Sequence, residues 1–433
     1  MKNTILTIAY ISCILLNFNL LSNTDYLLPK PKIIQYNDDK PFVLDCFQLI
    51  DSTHNEMLSR FDRDNCQNID NNSSKKIITR QVSDIEGSYD YQLYGYDNEA
   101  YRISITNDSI LIEYIDYIGV TRAAQTLMQL VETDNRGRKT IPASTIVDWP
   151  AFKLRGFMHD VGRSFIPVEE LKKQIDILSH FKINTFHWHL TENQAWRFEV
   201  KKYPQLTDPK NMLRHENGYY TQEECMELEQ YAWERGITVI PEIDMPGHSA
   251  AFKRAMGHSM QTDEGVEELL HILEEVAATF PHSPYIHIGG DEEPITYPDF
   301  FKIITDKVHS LSKKVIVWNP IYGYEINSED GFDMTQMWST AGEKVDNIPN
   351  IDCRYNYINH FDVFADVVGI YKSNIYYSEV GSEEIAGTIT AVWNDRKLPT
   401  SEDIMMQNNV YANVLASAER AWAGGRNAYI EDS

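Results

Sequence analysis

The sequence is poor in cysteine, in basic residues and in long apolar runs. Five cysteines in 433 residues, none at CxxC spacing, argue against a zinc site built on thiolates. Removal of a leader beyond Cys13 would leave Cys46, Cys66, Cys225 and Cys353; whether Cys46 and Cys66 pair stays open. Lys and Arg number 39 against 64 Asp and Glu, a net charge of −25. That deficit argues against a nucleic-acid surface, which needs clustered cations to displace counterions. No internal repeat and no long low-complexity segment is present. The apolar run "ILTIAYISCILLNFNLL" after Met1-Lys2 is too short and too early for a membrane-spanning element, and the mature chain is expected to have none. Residues 1–23 read instead as a cleaved secretory signal. The expected location is outside the cytoplasm: periplasmic, secreted or at the cell surface. Lipid attachment at Cys13 is disfavoured by the apolar "ILLNFNLL" that follows it.

Aromatics, by contrast, are plentiful: 25 Tyr, 17 Phe and 8 Trp. They suit a large core, which composition alone favours, or a carbohydrate site in which ring faces stack on sugar C–H faces. Residues 24–147 alternate short apolar runs with polar turns ("YQLYGY", "AYRISITND", "SILIEYID"). Asn107-Asp108 marks a hairpin, and "GVTRAAQTLMQLVET" has helical spacing. The expectation is a small α+β domain. "DWP" at 148–150 marks its boundary, because proline disfavours helix at the residue before it. Over 148–433 strands and helices alternate. Eight strands are expected, at 153–161, 183–190, 236–244, 285–290, 314–319, 334–338, 351–358 and 388–393. Most are continuous apolar runs suited to parallel strands covered on both faces. "PVEELKKQIDILSHFK" and "TQEECMELEQYAWERG" read as helices, the second with a Thr cap, acids in its first turn and a stop at Gly236. The α/β pattern is that of a (β/α)8 TIM barrel, with a linker after strand five too short for a full helix.

Active sites of such barrels lie at the C-terminal strand ends. The ends here offer, strand by strand, Asp160 and Arg163; His187, His189, Glu192 and Trp196; Glu242, Asp244 and His248; Asp291, Glu292 and Glu293; Trp318; Trp338; Tyr357 and Asn359; Trp393 and Asp395. Acids, one arginine and tryptophans on one rim suggest glycoside hydrolysis, in which a carboxylic acid protonates the leaving oxygen and a second group stabilises the anomeric cation. Adjacent Asp291 and Glu292 do not suit an acid–nucleophile pair about 5 Å apart, since strand neighbours point to opposite faces. They suit substrate-assisted catalysis, with one acid and one group holding the substrate. A metal-dependent hydrolase using His187, His189, His248 and Asp291 is a rival, but the late strands offer Trp and Tyr rather than more histidines. A non-catalytic glycan-binding barrel is a second rival. His159 reads as a packed histidine and Arg155 as structural.

"HIGGDE" resembles the signature of glycoside hydrolase family 20, the β-N-acetylhexosaminidases. "RGFMHDVGR", "FHWHLTENQAWR", "PEIDMPGH", "VWN", "QMW", "YNYIN", "AVWND" and "AERAW" follow in the family's order over about residues 148–425, and the preceding segment is similar to the small domain that leads the family's barrel. The resemblance implies an exo-acting, retaining enzyme that removes terminal β-linked GlcNAc or GalNAc from a glycan, with no cofactor and no metal. Glu292 would be the general acid and then base. Asp291 would hold the N–H of the 2-acetamido group, whose oxygen attacks the anomeric carbon, and Tyr357 would donate to that oxygen. Arg163 would grip O3 and O4; Trp318, Trp338 and Trp393 would wall the sugar; His248 would support Glu292, with Glu192 and His189 as further support. Two positions depart from the family pattern. Glu192 stands where Asp is common. Asp395 ends a Trp-Asn-Asp where Trp-x-Glu is common, which leaves room near O6 and keeps a shifted specificity open, such as removal of 6-sulfo-GlcNAc or of lacto-N-biose. GlcNAc versus GalNAc preference and linkage also stay open. A homodimer is an arrangement in which a second copy would complete the pocket.

Overall fold

The computed structural model describes residues 27–66, 73–85, 97–358, 367–372, 375–407 and 410–424. The expected leader, Asn359 and the "YQLYGY" segment lie outside them.

The N-terminal domain contains β1 (Ile33–Tyr36), β2 (Phe42–Val43), β3 (Gln48–Ile50), α1 (Glu56–Asn65), β4 (Lys76–Gln81), β5 (Tyr101–Ile105), β6 (Ser109–Tyr114), α2 (Tyr117–Leu130), β7 (Glu132–Thr133), β8 (Lys139–Ile141) and β9 (Ser144–Asp148). Six strands form one sheet in the order β1-β9-β5-β6-β4-β3. Alternation decides which side of it is buried. Tyr101, Ile103 and Ile105 on β5, and Ile110, Ile112 and Tyr114 on β6, point into one core against Val120, Ala123, Ala124 and Leu127 of α2. The β5–β6 pair is antiparallel with Ile105 opposite Ile110, which puts Asn107 and Asp108 in the connecting turn.

The second part is a closed barrel of parallel strands, β10 (Leu154–Asp160), β11 (Thr185–His189), β12 (Thr238–Glu242), β13 (Tyr285–His287), β14 (Lys314–Asn319), β15 (Met334–Met337), β16 (Asn350–Asp352) and β17 (Ile385–Val392). Helices α3 (Val168–His180), α4 (Gln222–Trp233), α5 (Ala250–Met256), α6 (Asp263–Thr279) and α7 (Phe300–Ser310) cover its first half. α4 begins with the expected cap: Thr221 and Glu224 bond reciprocally in a capping box, and the chain turns left-handed at Gly236 (φ +70°). No helix separates β14, β15 and β16, in line with the short linker in the sequence. The later helices are α8 (Val367–Lys372), α9 (Ser401–Met406) and α10 (Val410–Ala423).

Three strands differ from expectation by three residues or more. β13 ends at His287 rather than at Gly290, the chain turning left-handed at Gly289 (φ +71°). β16 stops at Asp352 instead of running to Ile358, because Arg354 folds back onto the Asp352 carboxylate through Nε (2.9 Å) and Nη2 (3.0 Å). β17 begins three residues early, at Ile385. Gly387 in it passes so close to β10 that a Cβ there would lie 1.8 Å from the Leu154 carbonyl oxygen.

Buried charge joins the two parts. Glu99 Oε2 accepts from Arg122 Nε (2.6 Å) on α2 and from Arg155 Nη2 (2.6 Å) on β10. Lys182 Nζ lies 2.8 Å from Asp148 Oδ2, and Trp422 of α10 donates to Asp148 Oδ1 (2.9 Å) while joining the N-terminal core. Arg155 is thus structural. Removing one member of a buried ion network leaves the others charged in low dielectric. Glu99→Ala should therefore lower unfolding free energy by about 3–5 kcal/mol in denaturant titrations, whereas loss of the exposed Arg63–Glu56 pair should change it by less than about 1 kcal/mol.

Candidate active site

The site is built where β13 opens. After His287 the chain passes through Gly289 (φ +71°), Gly290 (φ +106°), Asp291 and Glu292 (φ +54°). A Cβ at Gly289 would lie 1.8 Å from Asp244 Oδ1, so only glycine fits beside that carboxyl. Glu292, a non-glycine residue held left-handed, is a local strain of the kind found at functional sites. The two acids consequently diverge: Asp291 is 7% exposed, whereas the Glu292 side chain is 56% exposed. Glu293 is exposed too, its N–H donating to the Asp291 carbonyl (2.6 Å).

His248, after β12, stands between them. Its Nε2 is 3.2 Å from Glu292 Oε2 and 3.6 Å from Asp291 Oδ2, and its Nδ1 pairs with Glu192 Oε1. Burial opposes its charge, but hydrogen bonding to Asp291 and Glu192 and the nearby Asp244 outweigh it and push the imidazole up to about 12. The same Glu192 oxygen lies 2.7 Å from Arg163 Nη2. Arg163 also reaches Asp160 Oδ2 with Nη1 (2.9 Å) and Asp395 Oδ1 with Nε (3.1 Å). Its guanidinium carbon sits 5.2 Å from the centre of the Trp393 ring. Burial opposes this charge as well, and Asp160, Glu192 and Asp395 hold it above its ordinary value.

The floor is a carboxylate among imidazoles. Glu242 Oε2 meets His187 Nε2 (2.9 Å) and His189 Nδ1 (2.5 Å); Oε1 accepts from Trp318 Nε1 (2.7 Å) and lies 3.4 Å from His287 Nδ1. Burial opposes ionisation of Glu242, but His189, His287 and His187 together hold it well below the carboxylate range. His187, Glu242 and His287 have the composition of a metal-ligand set, one atom from each within 4.8 Å of the others. The nitrogens are already engaged: the His187 and His287 rings stack 4.6 Å apart at 27° rather than converging, His187 Nε2 is bonded to Glu242, and His287 Nδ1 accepts the Gly289 N–H (3.1 Å).

Expected site residues therefore occupy different depths. Asp291, Glu292, His248, Glu192, Arg163, Asp395 and Trp393 form one connected cluster. His189 lies beneath it, its ring edge-on to Trp393 at 4.9 Å. Tyr357 follows the short β16 and meets Ala391 in an isolated bridge. Its ring lies 5.9 Å from Trp393, and its buried hydroxyl has no acceptor for its proton. Trp338 is half-buried and donates to the Pro320 carbonyl (2.9 Å). Trp318 does not wall the pocket: it is fully buried and tied to Glu242, 6.0 Å from Trp393, and so supports that wall from below. His159 is packed as expected, bonded to Gln174 (3.1 Å), with burial pushing it down to about 4. Arg214 was missed. It donates to the Asn394 (3.0 Å) and Asp395 (2.9 Å) carbonyls and so sets where Asp395 stands; it lies in a loop far from any strand end, where spacing carries no signal.

Residues 152–299 match the model of the glycosyl hydrolase family 20 catalytic domain, and residues 26–149 match the model of domain 2 of the same family. The chain belongs to glycosyl hydrolase family 20. Among curated family relatives, a beta-hexosaminidase of Vibrio furnissii is 42% identical over 234 residues, covering 46% of this chain and 38% of that protein. The chain thus spans less than half of that relative's length. Among solved structures, the beta-N-acetylhexosaminidase from Bacteroides fragilis superposes with a TM-score of 0.77 at 28% identity, covering 94% of this chain and 92% of that one. The family 20 exo beta-N-acetylglucosaminidase from Vibrio harveyi, solved with N-acetylglucosamine, superposes with a TM-score of 0.74 at 25% identity, covering 93% and 74%.

A folded-state pKa raised to about 12 means that the charged His248 stabilises the fold fully below the unfolded value of about 6.5, with the contribution declining from there and lost as pH rises through the folded value. The His248 ring protons should show no titration step by NMR between about pH 5 and 9, and a normal step should appear near pH 6.5 on denaturation. A mid-range step in the native protein would contradict the assignment.

Proposed function

We propose that this family 20 chain is an exo-acting, retaining β-N-acetylhexosaminidase that removes terminal β-linked GlcNAc or GalNAc by substrate-assisted catalysis. The observation that carries this reading is a pair of orphans. Buried polar atoms nearly always find partners, yet Asp291 Oδ1 is buried without one and the buried Tyr357 hydroxyl has no acceptor for its proton. They are an acceptor and a donor, near enough that Asp291 adds to the rise of the Tyr357 hydroxyl after burial and Cys353. A 2-acetamido group satisfies both: its N–H donates to Asp291 and its oxygen accepts from Tyr357. That holds the oxygen below the anomeric carbon as nucleophile, giving an oxazoline-type intermediate and retention. The neighbours named for N-acetylhexosaminidase and N-acetylglucosaminidase activity support the same substrate class.

Glu292, exposed at the mouth, protonates the leaving oxygen and afterwards activates water. The His248 cation 3.2 Å away steadies the carboxylate left once the proton is given. The edge formed by Arg163, Glu192 and Asp395 alternates donors and acceptors, which suits the vicinal hydroxyls O3 and O4. The half-exposed Asp395, shorter than glutamate, leaves space towards O6. A panel of GlcNAc, GalNAc and 6-sulfated GlcNAc aryl glycosides reads out that specificity. Export directed by residues 1–23 and pairing into a homodimer belong to the same proposal, checked by N-terminal sequencing of the exported protein and by light scattering.

Glu292→Gln should lower kcat by about 10²–10⁴-fold on substrates with poor leaving groups and far less in the first step on activated aryl glycosides. Equal losses on both would contradict its role as the acid. Asp291→Asn should lower kcat by about 100-fold or more while changing KM by less than about threefold, the signature of an interaction made chiefly in the transition state. A pure KM effect would place Asp291 in binding alone.

A further inference from the structure

Asp244, at the end of β12, has no part in the scheme above. It is 1% exposed, and neither carboxyl oxygen has a hydrogen-bond partner. Its backbone N–H is pinned by Thr191 Oγ1 (3.0 Å), and the missing side chain of Gly289 makes the space its Oδ1 occupies. One atom each of Asp244, His248 and Asp291 lie within 4.8 Å of one another. Two carboxyls therefore face each other in a buried place, each with an oxygen lacking a partner. Two carboxylates so close cannot both ionise without a large cost; a proton on one lets it donate to the other, whose oxygen keeps a second lone pair for another donor.

We infer that Asp244 is a positioning residue: it stays protonated and donates a hydrogen bond to Asp291, holding the carboxylate in the orientation that presents Oδ1 to the substrate amide. This rests on the role proposed for Asp291. The assignment of the proton to Asp244 follows from its surroundings. Burial and the charges of Asp291, Glu242 and Glu192 push its carboxyl well up, with the His248 cation opposing them. His189, from the neighbouring strand, faces it as well and is already paired to Glu242. Asp291, by contrast, has the His248 cation 3.6 Å from Oδ2. With the proton on Asp244, the charges of His248 and Asp291 balance locally, and the Asp291 carboxyl cannot rotate away from the acetamido group.

The experiment compares wild type with Asp244→Asn and Asp244→Ala on an aryl N-acetyl-β-glucosaminide. Turnover by wild type tests the proposed function by itself; the variants test Asp244. Asparagine keeps an N–H donor and cannot ionise, so Asp244→Asn should hold kcat within about threefold. Asp244→Ala should lose about 10- to 100-fold in kcat, the worth of a hydrogen bond to a charged group, with KM nearly unchanged. Asp244→Asn as damaged as Asp244→Ala would show that the carboxylate form is needed and overturn the inference; so would Asp244→Ala with wild-type kcat. A readout independent of activity, and of whether the alanine variant folds, is the wild-type minus Asp244→Asn infrared difference spectrum at neutral pH. It should contain the carbonyl stretch of a protonated carboxyl. A carboxylate band in its place would overturn the proposal.

Discussion

Carboxyl groups outnumber cations at the open end of this barrel, and the rest of the site is arranged around that imbalance. Asp160, Glu192 and Asp395 share Arg163; Glu192, Asp291 and Glu292 share His248; Glu242 is enclosed by imidazoles and the Trp318 indole. Like charges at such spacing repel one another, and the shared cations offset that repulsion. Glu192 belongs to two of these groups, touching both the Arg163 guanidinium and the His248 imidazole. One atom of Glu192, Oε1, thereby joins the guanidinium and the imidazole into one network.

Backbone and scaffold keep these distances. Two glycines and a strained Glu292 turn the chain sharply out of β13, so that neighbours in sequence reach opposite environments: one buried at the pocket floor, one at its mouth. The parallel strands, closed into a barrel, fix the rim, and the buried Glu99–Arg122–Arg155 network ties the barrel's first strand to the N-terminal domain. Precision at the rim depends on such rigid support more than on the loops that carry the side chains.

Much of this was legible in the sequence, and the reasons are specific. Continuous apolar runs such as "KVIVWN" mark strands buried on both faces, and charged or aromatic residues at their ends mark the rim. Depth was not legible. Trp318 and Trp393 look alike as strand-end tryptophans, yet one is fully buried against Glu242 and the other faces Arg163, a difference set by barrel stagger and partner side chains. The true end of β16 was hidden because "CRYNYI" keeps strand-like alternation, while a local Arg354–Asp352 pair ends the ladder. In the sequence Asp244 is one more acid at a strand end; the lack of a hydrogen-bond partner for its carboxyl is a property of three-dimensional packing alone.

The central claim is that the substrate's own acetamido oxygen attacks the anomeric carbon between Asp291 and Tyr357. The most direct measurement is the rate on aryl glycosides whose N-acetyl methyl carries zero, one, two or three fluorines. The account predicts that kcat/KM falls steeply and monotonically with each fluorine, because each makes the amide oxygen a poorer nucleophile without altering the leaving group. Rates independent of fluorination would contradict it and would require a nucleophile supplied by the protein or by water.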